Sequence, residues 1–218
     1  LSSKSKILIE MNHDSVKYFK NFSKINNVYL LLGSIPITEN DKLFNRSILI
    51  NPDGDIISIY DKIHMFDITL KNGESYKESD FYSPGSELKI TKVLGHSVGH
   101  TICYDLRYPK LYRALAKKGS QIIVVPSAFT HTTGKAHWHS LIKARAIENG
   151  VFILAPNQWG VNNEKRVTYG HTLIVDPWGE TLAEAEDGEM IIAAELDLNR
   201  VRECQNAIPV LDNDRNFD

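Results

Sequence analysis

Residues 98–118 read Val-Gly-His-Thr-Ile-Cys-Tyr-Asp-Leu-Arg-Tyr-Pro-Lys-Leu-Tyr-Arg-Ala-Leu-Ala-Lys-Lys, and how this stretch is parsed decides how its neighbours are parsed. Residues 98–103 form an apolar run of strand length, and a polar turn follows. Pro109 then suits the first turn of a helix, because its ring fixes φ and its missing N–H would have had no partner there. A helical pattern covers 109–118, and Gly119 sits where such a helix stops. The same rhythm repeats downstream: a strand at 121–126, a helix at 137–149 closed by Gly150, and a strand at 151–156. Strand and helix in alternation predict an α/β architecture.

Working outward, the C-terminal side returns to β pattern at 169–175, 181–185 and 190–196, with Pro177-Trp178-Gly179 as a turn. A polar tail follows, expected to pack on the body or on a partner. On the N-terminal side, strands are predicted at 28–32, 47–51 and 56–60, the last two joined by Pro52-Asp53-Gly54-Asp55, a hairpin signal. Residues 2–26 carry Ile7, Ile9, Met11, Val16, Phe19 and Phe22 at loosely helical spacing. Residues 64–84, with Gly73, Glu74, Glu78 and the Ser83-Pro84-Gly85 turn, read as one long loop, and loops of that length in compact domains are usually functional. There are no internal repeats and no low-complexity tracts.

With 218 residues and 42% hydrophobic composition, the chain has enough apolar material for one sizeable core, so 1–218 is expected to be a single domain. Its 25 basic and 27 acidic residues are interleaved and leave a net charge of -2, which speaks against nucleic acid as a partner. The apolar runs are too short to cross a bilayer. Two cysteines about a hundred residues apart, without a charged-then-apolar leader, point to a reducing cytoplasmic setting rather than a disulfide scaffold.

Cys103 stands where a strand gives way to a helix, a place that lifts a nucleophile out of the sheet and turns backbone N–H groups toward a developing oxyanion. A buried structural cysteine fits the same position. Lys62, in Tyr60-Asp61-Lys62-Ile63-His64-Met65-Phe66-Asp67, follows a predicted strand; a lysine there is suited to stabilising a tetrahedral intermediate or a thiolate, or is an ordinary surface lysine. Glu74 and Glu78 are either positioning carboxylates or solvated loop charges. His131, His137, His139 and His171 raise the question of a metal. Alternate residues on a helix diverge, however, and zinc needs three or four converging ligands, so no metal is expected.

Taken together and in order, these segments resemble the nitrilase family of carbon–nitrogen hydrolases. The motifs run from Tyr60-Asp61-Lys62 and Glu78-Ser79 through Gly99-His100-Thr101-Ile102-Cys103-Tyr104-Asp105-Leu106-Arg107-Tyr108-Pro109 to Pro126-Ser127-Ala128-Phe129. They continue in Thr133-Gly134-Lys135-Ala136-His137-Trp138, Arg145-Ala146-Ile147-Glu148-Asn149, Tyr169-Gly170-His171-Thr172 and Asp176-Pro177-Trp178-Gly179. The likeness covers the chain from about Val28 onward and leans toward the branch holding omega-amidase and deaminated-glutathione amidase. It implies a four-layer αββα sandwich lacking the first strand and helix, a homodimer or higher homo-oligomer, and no cofactor. It also implies hydrolysis of an amide in a small acid amide through a cysteine thioester, with release of ammonia.

Carried over, Cys103 is the nucleophile. Lys62, with the Tyr104 backbone N–H, stabilises the oxyanion and is expected to meet Cys103 at a shared cleft. Glu78 is the positioning carboxylate, and Arg107, Phe129 and Trp138 line the pocket. Two departures stand out. The 61 residues ahead of Lys62 are fewer than the family's spacing to its general-base glutamate, and Glu10 has neither the preceding strand nor the proline that would mark it as that residue. His139 stands where relatives commonly carry glutamate. Two other readings follow, an inactive remnant lacking the general base and, against expectation, a metal-dependent hydrolase using His131, His137 and His139.

Overall fold

The computed structural model describes residues 10–70, 73, 75–163 and 166–215. The chain divides into two compact units, Leu1–Lys89 and Ile90–Asp218.

The first unit opens with helix α1 (Asp14–Asn26), started by His13, whose Nδ1 accepts from the Ser15 N–H at 3.1 Å, and closed by Asn27 in the left-handed conformation, φ 53°. The predicted helical stretch therefore begins later than expected among the described residues; Ile7 and Ile9 lie outside them. Strands β1 (Leu30–Glu39), β2 (Lys42–Ile50) and β3 (Ile56–Asp61) make an antiparallel sheet in the order β1-β2-β3. Leu32, Ile37, Ile48 and Ile50 form its core, with Met11, Phe19 and Ile56 packed against them. The buried Ser23 hydroxyl meets the Asn51 carbonyl at 2.8 Å, tying the helix to the β2–β3 turn.

The expected long loop at 64–84 is instead structured. It holds a short antiparallel pair, β4 (Asp67–Thr69) and β5 (Ser75–Lys77), followed by a 3-10 helix at Glu78–Asp80. Three-residue strands are too short to show a period in sequence. Glu74 lies outside the described residues.

In the second unit a six-stranded sheet runs in the order β13-β12-β9-β8-β7-β6. Its strands are β6 (Ile90–Val93), β7 (His96–His100), β8 (Ile122–Val124), β9 (Phe152–Ala155), β12 (Leu173–Val175) and β13 (Thr181–Glu184). Strands β7, β8 and β9 are parallel, joined by helices α2 (Pro109–Lys117) and α3 (His131–Asn149), as the strand–helix alternation predicts. Ile102, Leu115, Ile123, Ile142, Phe152 and Leu173 are all buried in this unit.

Three expectations are overturned in this unit, and the expected packing of the polar tail is met. Helix α3 starts at His131, six residues early: Thr130 takes the extended N-cap conformation just ahead of it, and Gly134 is tolerated inside it. The single strand expected at 169–175 is split by Gly170 and His171, both at positive φ (74° and 56°). Its first part is β11 (Arg166–Tyr169), which pairs with β10 (Trp159–Asn163). The run 190–196 joins no ladder among the described residues, and Ile191 is 96% exposed. The polar tail contains α4 (Asn199–Ala207), which docks on the body of this unit: Val201 and Cys204 are buried, and Gln205 Nε2 donates to the carbonyls of Asn149 and Gly150 at 3.1 and 3.2 Å. Among the described residues no helix is long and apolar enough to cross a membrane.

At Gly134, α3 comes so near β11 that a Cβ placed there would lie 2.3 Å from the Tyr169 Cβ. The expected effect of Gly134→Ala is a loss of about 1–3 kcal/mol, overpacking outweighing the roughly 1 kcal/mol gain in helix propensity. Urea unfolding with an unchanged m-value checks it.

Candidate active site

In the first unit, the lysine follows β3 and is fixed through its backbone. Its N–H donates to the Asn45 carbonyl at 2.9 Å, and its own carbonyl accepts from the Gly85 N–H at 2.8 Å. Gly85 is required at that contact, because a Cβ would stand 2.2 Å from the Asp61 oxygen. Asp61, one residue earlier, is gripped by Arg46 through Nε at 2.7 Å and Nη2 at 2.9 Å, and Nη2 also reaches Glu39 at 2.9 Å. These bonds, Asp61 foremost, raise the Arg46 pKa against the opposing effect of burial.

The Lys62 side chain is 2% exposed and donates through Nζ to Glu78 Oε2. The same oxygen accepts the Phe66 N–H at 2.6 Å, and Oε1 accepts Asn45 Nδ2 at 3.0 Å. Lys62 and Glu78, singled out separately in sequence, are thus brought together. Asn45, which orients the carboxylate, carried no signal because its role depends on a contact between β2 and the 3-10 helix 33 residues further along the chain.

In the second unit, the parallel ladder continues past the ends of β7 and β8. Thr101 N–H donates to the Val124 carbonyl at 3.1 Å and Cys103 N–H to the Pro126 carbonyl at 3.0 Å. Cys103 then adopts φ 48°, a left-handed conformation that non-glycine residues rarely take, and begins a 3-10 helix, Cys103–Arg107. The thiol is partly exposed at the C-terminal ends of parallel strands, where open α/β sheets bind ligands.

The turn after Cys103 is held from several sides. The fully buried Asp105 accepts the Ile102 N–H at 2.9 Å, and buried Arg145 donates from Nε to the Leu106 carbonyl at 2.9 Å. The Thr101 hydroxyl gives its one hydrogen to the Val124 carbonyl at 2.7 Å, so the Tyr112 hydroxyl is the donor in their 2.8 Å contact. Burial pushes the Tyr112 phenol up and keeps that proton in place.

Arg107 is half-buried. Burial pulls its guanidinium pKa down, opposed by the charges of Tyr104, Cys103 and Tyr108. Its Cζ lies 5.5 Å from the centre of the Phe129 ring, and that ring is 4.8 Å from Trp138. Tyr104 packs edge-on against Tyr108 at 5.6 Å. Phe129 and Trp138 are themselves buried, Trp138 donating Nε1–H to the His171 carbonyl at 2.7 Å. Arg107, Phe129 and Trp138 therefore form one contiguous row of contacts, the two rings tilted by 58°. Asn157 was not anticipated: it accepts the Phe129 N–H at 3.0 Å and donates to the Gly170 carbonyl at 2.6 Å, fixing the segment that carries Phe129. Its only sequence signal was its place just after the strand at 151–156. The α3 histidines diverge as expected, His137 meeting Arg107 Nη2 at 3.3 Å while His139 meets Glu184 at 2.8 Å.

Residues 3–206, spanning both units, match the family described as carbon-nitrogen hydrolase. The chain is 40% identical over 192 residues to deaminated glutathione amidase of Yersinia enterocolitica, covering 86% of this chain and 67% of the relative. It is 36% identical over 197 residues to omega-amidase NIT2 of Xenopus tropicalis, covering 90% and 71%. The crystal structure of Saccharomyces cerevisiae Nit3, a member of branch 10 of the nitrilase superfamily, superposes with a TM-score of 0.81 at 35% identity, covering 90% of this chain and 70% of that one. The chain belongs to the carbon-nitrogen hydrolase family, and its fold is that of the nitrilase superfamily.

Removing one member of a buried ion pair leaves the other charge uncompensated, at about 3–5 kcal/mol. Glu78→Ala is therefore expected to destabilise the protein by about that amount, measured by chemical denaturation. A loss below about 1 kcal/mol, the range of exposed pairs, would contradict the buried geometry.

Proposed function

We propose that the chain hydrolyses the carbon–nitrogen bond of a small acid amide, with Cys103 as the nucleophile. The observation that carries this is the left-handed Cys103, φ 48°, at the C-terminal end of the parallel ladder. Relatives at 36–40% identity, a deaminated glutathione amidase and an omega-amidase, suggest the substrate class.

The Cys103 sulfur attacks the amide carbon and the carbonyl oxygen becomes an oxyanion. Collapse of the tetrahedral intermediate breaks the C–N bond, and the thiol proton leaves with the nitrogen as ammonia. Water then attacks the thioester, gives the acid and returns the thiol. Lys62 stabilises the oxyanion together with the Tyr104 backbone N–H, and Glu78 positions Lys62. Arg107, steadied over the Phe129 ring with Trp138 behind it, suits the carboxylate of an acid amide, because a guanidinium binds carboxylates in a planar two-point geometry. Residues 1–218 belong to one carbon–nitrogen hydrolase domain that acts as a homodimer or higher homo-oligomer in a reducing cytoplasm, with Cys103 and Cys204 as free thiols.

Ammonia release from 2-oxoglutaramate tests this. The chain is expected to release ammonia above the level of its Cys103→Ala variant, and Lys62→Met is expected to slow release by about 10²–10³-fold, the loss typical of removing one oxyanion stabiliser. Equal release by the chain and by Cys103→Ala overturns the proposal.

A further inference from the structure

Outside the residues used above, three side chains from three separate elements converge. His139 projects from α3, His171 from the turn between β11 and β12, and Glu184 from the end of β13. His139 Nε2 lies 2.8 Å and His171 Nδ1 lies 3.0 Å from the same Glu184 oxygen, Oε1, and one ligand atom from each residue falls within 4.8 Å of the others.

Each member is held by groups that do not themselves belong to the cluster. His139 follows the fully buried Trp138, whose indole donates to the His171 carbonyl at 2.7 Å, so one side chain braces both histidine backbones. His171 is fixed at φ 56°, and its ring stacks on Tyr169 at 4.4 Å. Glu184 is placed by the ladder that pairs it with Leu173. His171 Nε2, the nitrogen facing away from Glu184, has the Asp187 carboxylate at 3.8 Å. At that distance Asp187 adds a nearby negative charge that favours a cation in the cluster but does not hydrogen-bond the ring. A cavity of about 400 Å³, lined in part by His131, Lys135, Tyr169, His171 and Asp187, opens beside the cluster and gives an ion a way in.

We propose that His139 Nε2, His171 Nδ1 and the Glu184 carboxylate bind a divalent transition-metal ion of the zinc type, with water in the fourth position. Metal–ligand bonds of about 2.0–2.2 Å in a tetrahedron set ligand atoms about 3.3 Å apart. Small side-chain rotations open the 2.8 and 3.0 Å contacts to that spacing. Two imidazoles and one carboxylate favour zinc, cobalt or copper over calcium or magnesium, which prefer all-oxygen sets. The ion clamps α3, the 170–172 turn and β13 together and takes no part in the cysteine chemistry. The site differs from the three-histidine group weighed in the sequence, since His131 and His137 are not ligands.

The test uses the whole chain, stripped with chelator and dialysed. Calorimetric titration with zinc chloride should give one equivalent per chain. Cobalt(II) should give visible d–d bands without a sulfur charge-transfer band. His139→Ala and Glu184→Gln, at partly exposed positions, should each weaken zinc at least tenfold, while His137→Ala and Cys103→Ala should leave it unchanged. The proposal is overturned by the absence of saturable zinc binding, by binding that survives both ligand variants, or by binding that disappears with Cys103→Ala. The cobalt spectrum of the unmodified chain decides the ligand type even if a variant fails to fold, because a sulfur charge-transfer band also overturns it.

Discussion

The second unit depends on one hydrogen bond beyond the formal end of a strand, the Cys103 N–H to the Pro126 carbonyl. It carries the parallel ladder of β7 and β8 three residues past His100, so the chain arrives at the thiol still in register with the sheet. The backbone then enters the left-handed region at φ 48°, which costs on the order of 1–3 kcal/mol for a residue with a Cβ. Such a conformation persists only where its surroundings over-determine it. Here Asp105 caps the Ile102 N–H, Arg145 of α3 holds the Leu106 carbonyl, and Tyr112 of α2 anchors Thr101. Both crossover helices are thus used to hold a single turn, and the turn presents the thiol.

The first unit answers a comparable problem with charge. Removing a lysine ammonium from water is costly and is offset only when a partner and further hydrogen bonds come with it. Glu78 supplies the partner, while the Phe66 N–H and the Asn45 amide satisfy the carboxylate's remaining capacity. The Arg46–Asp61 fork and the close approach of Gly85 fix the backbone on either side of Lys62. A lysine held this way loses little conformational freedom when it acts, which is what electrostatic stabilisation of a developing charge requires.

Much of this was legible in the sequence where the signal is local. The β7-α2-β8-α3-β9 run showed itself through apolar runs, Pro109 and the stopping glycines, and Cys103 and Lys62 were marked by their places at strand ends. What escaped was non-local. The β4–β5 pair has three residues per strand, and β10–β11 is an exposed hairpin with Val161 at its surface, so neither leaves a hydrophobic period. Residues 190–196 have strand-like composition but find no ladder among the described residues, which composition does not reveal. Asn45, Asn157 and Glu184 act through partners 13 to 45 residues away, and no spacing rule connects such pairs before the fold does. The α3 histidines show the other side of this: their divergence followed from helix geometry, but the destination of His139 did not.

In the proposed reaction Cys103 carries the acyl group. Its most direct test is mass spectrometry of the chain acid-quenched during turnover of a small acid amide, followed by digestion. An acyl mass is expected on the peptide containing Cys103 and none on that containing Cys204. Product formation with Cys103 unmodified, or an acyl mass at Cys204 alone, would contradict it.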